Sequence, residues 1–138
     1  MITGINHITL AISDLGRSLQ FYTEVLGFEL VMRSDHAAYF SAGALWFCVV
    51  VDPLLSPEPR SDYTHIAFAL QEADFPLAAE RILASGARVF KGNESEGESL
   101  YFLDPDGHKL EIHCGTLQSR LDAIRRSPRD NAEVFSSG

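Results

Sequence analysis

The sequence predicts an α+β fold built from two paired βαβββ modules, and three observations point to it. The segments GINHITLAISDL and YTHIAFAL each place a histidine within a strand-like alternation of apolar and polar residues. Each is followed by a stretch with helical spacing that ends at a glycine, 20 residues after His7 and 21 residues after His65. Three short apolar runs then follow in both copies. A duplication with an offset of about 58 residues explains all three observations.

The first module contains one strand, one helix and three further strands. Its helix is predicted to begin after Asp14, whose side chain can cap it, and to end at Gly27. The strands that follow are FELVMR, AAYFSAG and LWFCVVV, which are separated by polar or glycine-containing turns. Three prolines then interrupt strand pairing and mark a linker, at Pro53, Pro57 and Pro59.

The second module repeats this order of elements. EADFPLAAERILASG predicts its helix, with Asp74 as the expected cap and Gly86 at the end. ARVFK, SLYFL and HKLEIHC predict its last three strands, and LQSRLDAIRRS predicts a short amphipathic helix after them. The predicted organisation is one domain over residues 1–126, with module one at about 1–51, the linker at 52–62, module two at 63–115, the final helix at 117–126 and a polar tail at 127–138.

Composition excludes several classes of function. The 138 residues are 46% hydrophobic and 22% charged, which is typical of a globular domain. The net charge of −8 argues against a general nucleic-acid binder, whose binding surface would be basic. No apolar run approaches the roughly 18 residues of a membrane helix, so we expect no membrane contact and a cytoplasmic location. Cys48 and Cys114 are expected to be free thiols that serve in packing.

Three polar side chains are predicted to lie on inward-facing strand positions. Sheets from duplicated modules can curl toward each other to form one mixed sheet around a cavity, and residues two apart on a strand share a face. His7 and His65 occupy equivalent places in the two modules, and Glu111 lies mid-strand in KLEIH. A lone core histidine is most often a satisfied polar group. Two equivalent histidines and a buried carboxylate, however, also fit a metal site that leaves positions open for substrate.

The chain resembles a known superfamily in NHITLAISDLGRSLQFYTEVLGFEL, DYTHIAFAL and SEGESLYFLDPDGHKLE. These segments are similar to the vicinal-oxygen-chelate (glyoxalase/bleomycin-resistance/dioxygenase) superfamily. More narrowly, they resemble the manganese- and potassium-dependent fosfomycin-resistance glutathione transferases of the FosA type. The resemblance runs from residue 1 to about residue 126. Its most specific part is SEGESLYFLDPDGHKLE, since the strand and helix at the start indicate only the superfamily.

The resemblance implies a metal-dependent reaction on fosfomycin. It implies that His7, His65 and Glu111 hold Mn²⁺, and that the protein is a module-swapped homodimer in which both chains complete each site. Thr9 is expected to bind a phosphonate oxygen of the antibiotic. The thiolate of glutathione is expected to open the epoxide, with the metal ion acting as a Lewis acid.

The resemblance also assigns a role to the loop KGNESEGES. A potassium ion is expected there, held by Asn93, Glu96, Gly97 and Ser99. The residues expected to bind phosphonate oxygens are Lys91, Ser95, Ser99, Tyr101 and Arg120, and Thr9, Lys91 and Arg120 are the expected catalytic residues. From the strand pattern, Trp46 and Tyr39 are expected to wall the cavity or pack in the core. Tyr63 shares the facing of His65, so it could orient a ligand or substrate.

The chain departs from the usual family pattern at Ser34, His36, Ile66 and Glu94 and in the C-terminal segment SPRDNAEVF. These departures are expected on the glutathione approach and the dimer contact, and not at the metal or phosphonate positions. Glu94 replaces a cation and should weaken the attraction for anionic glutathione. The alternatives are therefore an enzyme of the same fold that uses water or a different thiol on fosfomycin or another phosphonate or epoxide, and a non-catalytic drug-binding protein. A hydrolase would need a carboxylate base, and AGALWF offers Ala44 instead.

Overall fold

A computed structural model describes residues 1–135, and its first module forms a four-stranded mixed sheet. The strand order is β1-β4-β3-β2, in which β1 and β4 are parallel and the other neighbours are antiparallel. A helix connects β1 to β2 and covers one face of the sheet. The bounds are β1 His7–Ile12, α1 Leu15–Gln20, β2 Glu29–Arg33, β3 Ala37–Ala42 and β4 Leu45–Val51.

The second module has the same topology. Its strand order is β5-β8-β7-β6, and β5 and β8 are the parallel pair. The α+β prediction with two βαβββ modules is therefore confirmed. The bounds are β5 Ile66–Ala69, α2 Phe75–Ala84, β6 Val89–Lys91, β7 Ser99–Leu103, β8 Lys109–His113 and α3 Leu117–Arg126.

Three details differ from the sequence predictions. Asp14 caps α1 through a 2.9 Å bond from the backbone N–H of Arg17, as predicted, but the helix continues as one π turn over Phe21–Val25. Asp74 makes no capping bond, because a 3₁₀ turn precedes α2 and already places Asp74 in helical backbone conformation. The third detail concerns His108 after the LDPDG turn, which is partly buried and has its Nε2 2.6 Å from the carbonyl oxygen of Ala11.

The final helix is the one predicted at residues 117–126. Thr116 accepts a bond from the backbone N–H of Ser119 at its hydroxyl, and the Ser119 hydroxyl accepts one from the Thr116 N–H, so the helix starts with a capping box. Residues 127–135 of the predicted tail contain no helix or strand, and residues 136–138 of that tail lie outside the described residues. No helix in the described part of the chain is long and apolar enough to cross a membrane.

One hydrophobic core joins the two modules. The fully buried side chains include Tyr22 and Phe47 from the first module and Phe102 and Leu110 from the second. The ring of Phe68 lies 5.8 Å from that of Phe47. Each sheet therefore packs one face into a shared core, and its opposite face points away from that core.

The turn LDPDGH between β7 and β8 adds polar contacts between the modules. The hydroxyl of Tyr22 donates to the buried carboxylate of Asp104 over 2.7 Å. Asp106 accepts bonds from the Ser13 hydroxyl at 2.6 Å and from Arg17 at 3.0 Å. Burial raises the pKa of Asp104 even though the bond from Tyr22 opposes this effect. These contacts join the turn to the first module.

Candidate active site on the second sheet

Glu111 lies at the centre of the outward face of the second sheet. Strand register places it beside Ala67 of β5 and Tyr101 of β7. Leu110 and Ile112 face the core, as the alternation predicts. The Glu111 side chain is only 6% exposed. A carboxylate that is buried to this extent requires hydrogen-bond donors or a cation.

His65 faces Glu111 from the start of β5. Its Nδ1 lies 2.9 Å from the carbonyl oxygen of Tyr63, which can only accept, so Nδ1 carries the proton. Its Nε2 lies 3.0 Å from Oε1 of Glu111. In the neutral ring this nitrogen is an acceptor, so two acceptors meet. Two neighbouring ligand atoms of an octahedral divalent ion lie about 3 Å apart, which matches this nitrogen–oxygen distance. A histidine that binds a metal usually donates from its other ring nitrogen to a carbonyl or carboxylate oxygen, as Nδ1 of His65 does here.

The second oxygen of Glu111 is held by Ser99. The Ser99 hydroxyl donates to Glu111 Oε2 over 2.6 Å, and the same oxygen lies 2.6 Å from Nδ1 of His113. His113 in turn places Nε2 3.3 Å from Oε1 of Glu96. A continuous polar chain therefore runs from the centre of the sheet to the loop before β7.

Glu96 joins that loop to the last helix. Arg120 donates through Nε to Glu96 Oε1 over 2.8 Å, and Ser119 donates to Glu96 Oε2 over 2.9 Å. Burial works to raise the pKa of Glu96, but the bonds from Arg120 and Ser119 outweigh it and hold that pKa below its usual value. Arg120 is expected to bind the phosphonate and Glu96 to bind potassium, and the structure pairs these two side chains with each other. The sequence offered no signal for the Ser119 contact, because it depends on how α3 docks.

The loop itself is closed by its own side chains. Asn93 donates through its amide to the Gly97 carbonyl over 2.8 Å, and its Oδ1 accepts from Ser95 N at 2.9 Å and Ser95 Oγ at 2.8 Å. Gly97 has a φ of +74°, and a Cβ there would collide with the carbonyl oxygen of Cys114. The expected potassium ligands are thus in one segment, and the side chains of Asn93, Glu96 and Ser99 form hydrogen bonds with other protein groups.

A cationic patch borders Glu111 on the β6 side. The ammonium group of Lys91 lies 4.7 Å from the ring centre of Tyr101 and 5.4 Å from that of Tyr63. Partial burial works to lower the pKa of Lys91, but Tyr63, Tyr101 and Glu94 together raise it above its usual value. Lys91 therefore stays protonated. An ammonium beside two phenol hydroxyls is a chemically suitable site for an oxyanion.

The remaining predicted residues lie on the first sheet. His7 and Thr9 are exposed on the outward face of β1, where the His7 ring lies 4.4 Å from that of Trp46. Tyr39 lies 5.4 Å from Trp46 on the same face, so these two aromatics are outside the core. Within residues 1–135, no three His, Cys, Asp or Glu side chains are close enough to hold a metal ion. The chain therefore does not bring His7 to His65 and Glu111.

A cavity lies elsewhere in the molecule. It has a volume of about 870 Å³ and lies between the linker, α1 and the LDPDGH turn, with Phe21, Leu55 and Asp106 among its lining residues. It contains none of the residues predicted for the metal, the potassium ion or the substrate. The chemically distinctive groups are therefore on an open sheet face and outside this cavity.

Comparison with known proteins identifies the family. The profile of the Glyoxalase/Bleomycin resistance protein/Dioxygenase superfamily matches residues 4–112. Glutathione transferase FosA of Serratia marcescens is 47% identical over 130 residues, which cover 93% of this chain and 92% of that protein. The chain belongs to this superfamily and, within it, to the fosfomycin-resistance family. Metallothiol transferase FosB of Shouchella clausii is 37% identical over 135 residues, covering 94% of this chain and 92% of FosB.

A solved structure of the family has the same fold. The fosfomycin resistance protein FosX of Listeria monocytogenes, in complex with Mn(II) and sulfate, superposes with a TM-score of 0.78 at 33% identity. The match covers 90% of this chain and 99% of FosX. The predicted family and fold are therefore confirmed, and the relatives include a glutathione transferase and a metallothiol transferase.

Proposed function

We propose that this protein opens the epoxide ring of fosfomycin with the thiol of glutathione, in a reaction that depends on Mn²⁺ and is activated by K⁺. The single observation that carries the proposal is the juxtaposition of His65 and Glu111, 3.0 Å apart, with the Lys91 patch on the same sheet face. The identity to glutathione transferase FosA favours glutathione among the possible thiols.

The donor set fits a divalent cation. Two ligand atoms are available: the unprotonated Nε2 of His65 and Oε1 of the buried Glu111 carboxylate. The metal would be held by His65, Glu111 and His7. When bound, such an ion supplies Lewis-acid stabilisation of the oxygen that leaves the epoxide carbon. Imidazole and carboxylate ligands suit Mn²⁺ and several other divalent ions, and the FosX complex contains Mn(II).

His7 enters this site only from a second chain. His7 and Thr9 are exposed on the outward face of the first sheet, away from His65 and Glu111. A module-swapped homodimer would set the first sheet of one chain against the second sheet of its partner. Exposed apolar side chains on the first sheet, Trp46 at 40% and Val50 at 37%, support such a pairing.

The phosphonate would be bound by the protein's own donors. Lys91 offers a charge, while Tyr63, Tyr101, Ser95 and Thr9 offer hydroxyl groups, and charge-assisted bonds of this kind are strong. Arg120 would contribute through guanidinium nitrogens other than the Nε that Glu96 holds. Fixing the phosphonate in this way orients the epoxide for attack, which is the main contribution required of the protein.

The chain's own cysteines are poor candidates for the nucleophile. Cys48 is buried, and burial together with the charges of Glu98 and Glu72 raises the pKa of Cys114, which disfavours its thiolate. The proposed attacking sulfur is therefore that of an external thiol, and the identity to glutathione transferase FosA favours glutathione. A carbon–sulfur bond forms as the carbon–oxygen bond breaks, and the oxygen ends as a hydroxyl with the proton that the thiol released.

A product assay by mass spectrometry tests the proposal. Purified protein is incubated with fosfomycin, Mn²⁺ and K⁺, with glutathione, with another low-molecular-weight thiol, or without thiol. We expect a glutathione adduct that requires Mn²⁺ and increases with K⁺. An adduct formed only with the other thiol would replace glutathione as the cosubstrate. Unmodified fosfomycin in every arm would contradict the proposed reaction.

Hydrolysis is the second candidate function. A FosX variant from Listeria monocytogenes was solved with Mn(II) and 1S,2S-dihydroxypropylphosphonic acid, which is the diol expected from addition of water. In this chain Ala44 lies in the turn between β3 and β4, where a hydrolase would be expected to have an acidic base. The arm without thiol separates the two functions, since a diol formed there would assign the protein to the hydrolases.

A further inference from the structure

We propose that His113 is a positioning residue that orients the metal-binding carboxylate of Glu111 through the hydroxyl of Ser99. This inference rests on the proposed function, because it concerns how the expected Mn²⁺ ligand is held. His113 and Glu111 are two residues apart on β8 and therefore share the outward face. The side chain of His113 is 14% exposed, so its position is set by its protein contacts.

The available protons give the chain of bonds a direction. Ser99 Oγ lies 2.6 Å from both Glu111 Oε2 and His113 Nδ1, and the hydroxyl has one proton. An ionised carboxylate can only accept, so the Ser99 proton is directed at Glu111. The Ser99 oxygen then accepts from His113 Nδ1, which must carry the proton. His113 thus keeps the hydroxyl from rotating away from Glu111.

The edge of the imidazole that carries Nε2 packs against Glu96 and Gly115. Nε2 lies 3.3 Å from Glu96 Oε1, and Arg120 holds Glu96 in place. A Cβ at position 115 would lie 2.6 Å from His113 Nε2 and 3.1 Å from Glu96 Oε2. Glycine at this position therefore makes room for the imidazole beside the carboxylate.

The fold alone does not require this polar link. The register pairs Ser99 with His113 in the second sheet, and the equivalent pair in the first sheet is Ala37 with Val50. The same antiparallel strand pair therefore forms with two apolar side chains. The serine and histidine are best explained by the carboxylate that they serve.

The two oxygens of Glu111 therefore have different roles. Ser99 holds Oε2, which leaves Oε1 beside Nε2 of His65, where a cation would be bound. Without His113 the Ser99 hydroxyl can rotate, and the carboxylate can turn with it. Loss of an outer hydrogen-bond partner of a metal ligand typically weakens metal affinity by about 10- to 100-fold.

Two isosteric substitutions separate this role from simple packing. Asparagine places its amide nitrogen near the position of Nδ1, whereas glutamine places its amide near that of Nε2. We expect His113→Asn to bind Mn²⁺ within about threefold of wild type, because it keeps the donor to Ser99. His113→Gln should bind Mn²⁺ about 10-fold more weakly. Affinity is measured without substrate, from the electron paramagnetic resonance signal of free Mn²⁺, on samples with wild-type circular dichroism.

A double-mutant cycle tests the route through Ser99. If His113 acts through the hydroxyl, His113→Gln should add no further loss of Mn²⁺ affinity to Ser99→Ala. Additive losses of Mn²⁺ affinity in the double variant would disprove a role of His113 through Ser99. Equal Mn²⁺ affinities for wild type, His113→Asn and His113→Gln would disprove it as well. If the wild type forms the fosfomycin adduct and His113→Gln binds Mn²⁺ as tightly as the wild type, the positioning role of His113 is disproved and the proposed function is retained. A wild type that bound no Mn²⁺ would overturn both.

Discussion

The two sheets share one topology but present different chemistry on their outward faces. At the position of Glu111 in the second sheet, the first sheet has Cys48, since Tyr101 and Tyr39 are their respective neighbours in the register. The second sheet thus carries a hydrogen-bonded carboxylate, whereas the first carries an exposed aromatic surface around Trp46.

This difference shows how a duplicated module can divide its functions. The core-facing positions remain apolar in both sheets, because both must fill the shared interior. The outward positions are free of that requirement and have diverged. The second sheet has the groups that fit ions and a phosphonate, and the first has the histidine, threonine and aromatic side chains that would cover them from another chain.

The largest expected effect comes from exchanging one atom at the centre of the second sheet. Glu111→Gln keeps the shape of the side chain but removes the charge, and we expect loss of Mn²⁺-dependent adduct formation by at least about 100-fold. Cys48→Ala, at the equivalent position of the first sheet, is the control and should leave activity per folded molecule near wild type. Wild-type turnover by Glu111→Gln at saturating Mn²⁺ would disprove the ligand assignment.

A smaller effect is expected from the cationic patch. Lys91→Ala should raise the KM for fosfomycin by about 10-fold, because a charge-assisted bond to the phosphonate is lost, and it should reduce activation by K⁺. Lys109→Ala is the matched control, since Lys109 shares the sheet face but bonds to the Asp62 carbonyl at 2.6 Å. Steady-state kinetics at several K⁺ concentrations measure both the KM for fosfomycin and the activation by K⁺. An unchanged KM for Lys91→Ala would remove this loop from the substrate site.

Mixing inactive variants tests whether the two faces meet across chains. His7→Ala and Glu111→Gln should each be inactive alone. After co-refolding in equal amounts, half of the dimers are mixed and each has one intact site, so about a quarter of wild-type activity should return. Each variant refolded alone is the control. A mixture that stays inactive, with mixed dimers verified by native mass spectrometry, would exclude a site shared between chains.

The smallest expected effect concerns the contact between the modules. Tyr22→Phe leaves the buried Asp104 without its 2.7 Å donor and should lower the free energy of unfolding by about 1–3 kcal/mol, with little change in Mn²⁺ affinity. Denaturant unfolding measures the first quantity and metal titration the second. Comparable weakening of Mn²⁺ binding would mean that the LDPDGH turn is coupled to the site.

The same pair gives a pH dependence with a defined sign. Burial, followed by the negative charge of Asp104, raises the pKa of Tyr22 well above 10.0. Because the folded-state pKa is the higher one, this stabilising contribution is complete below the pKa of the unfolded chain and is lost as pH rises above it. Melting temperatures between pH 8 and pH 11 should therefore fall more for wild type than for Tyr22→Phe. Parallel curves would show that Tyr22 does not titrate in the unfolding transition.

Much of the architecture could be predicted from residue patterns. Strand alternation placed Glu111 on the face opposite Leu110 and Ile112, and the repeated histidines revealed the duplication. Side chains alternate between the two faces of a strand with a period of two residues, so the sequence predicts the face of each side chain. This alternation is a local property of the backbone. The π turn after α1 and the uncapped start of α2 were not predicted, because both depend on how the helix ends are packed.

Distances between side chains on different elements could not be obtained in this way. The contact of Arg120 with Glu96, and the chain of bonds from His113 through Ser99 to Glu111, depend on the docking of α3 and on the register of β7 with β8. Register and docking result from long-range packing over the whole core, which no local pattern specifies. The sequence therefore indicated the residue types and faces of the site, whereas the folded chain established which atoms meet and that His7 does not join them within one chain.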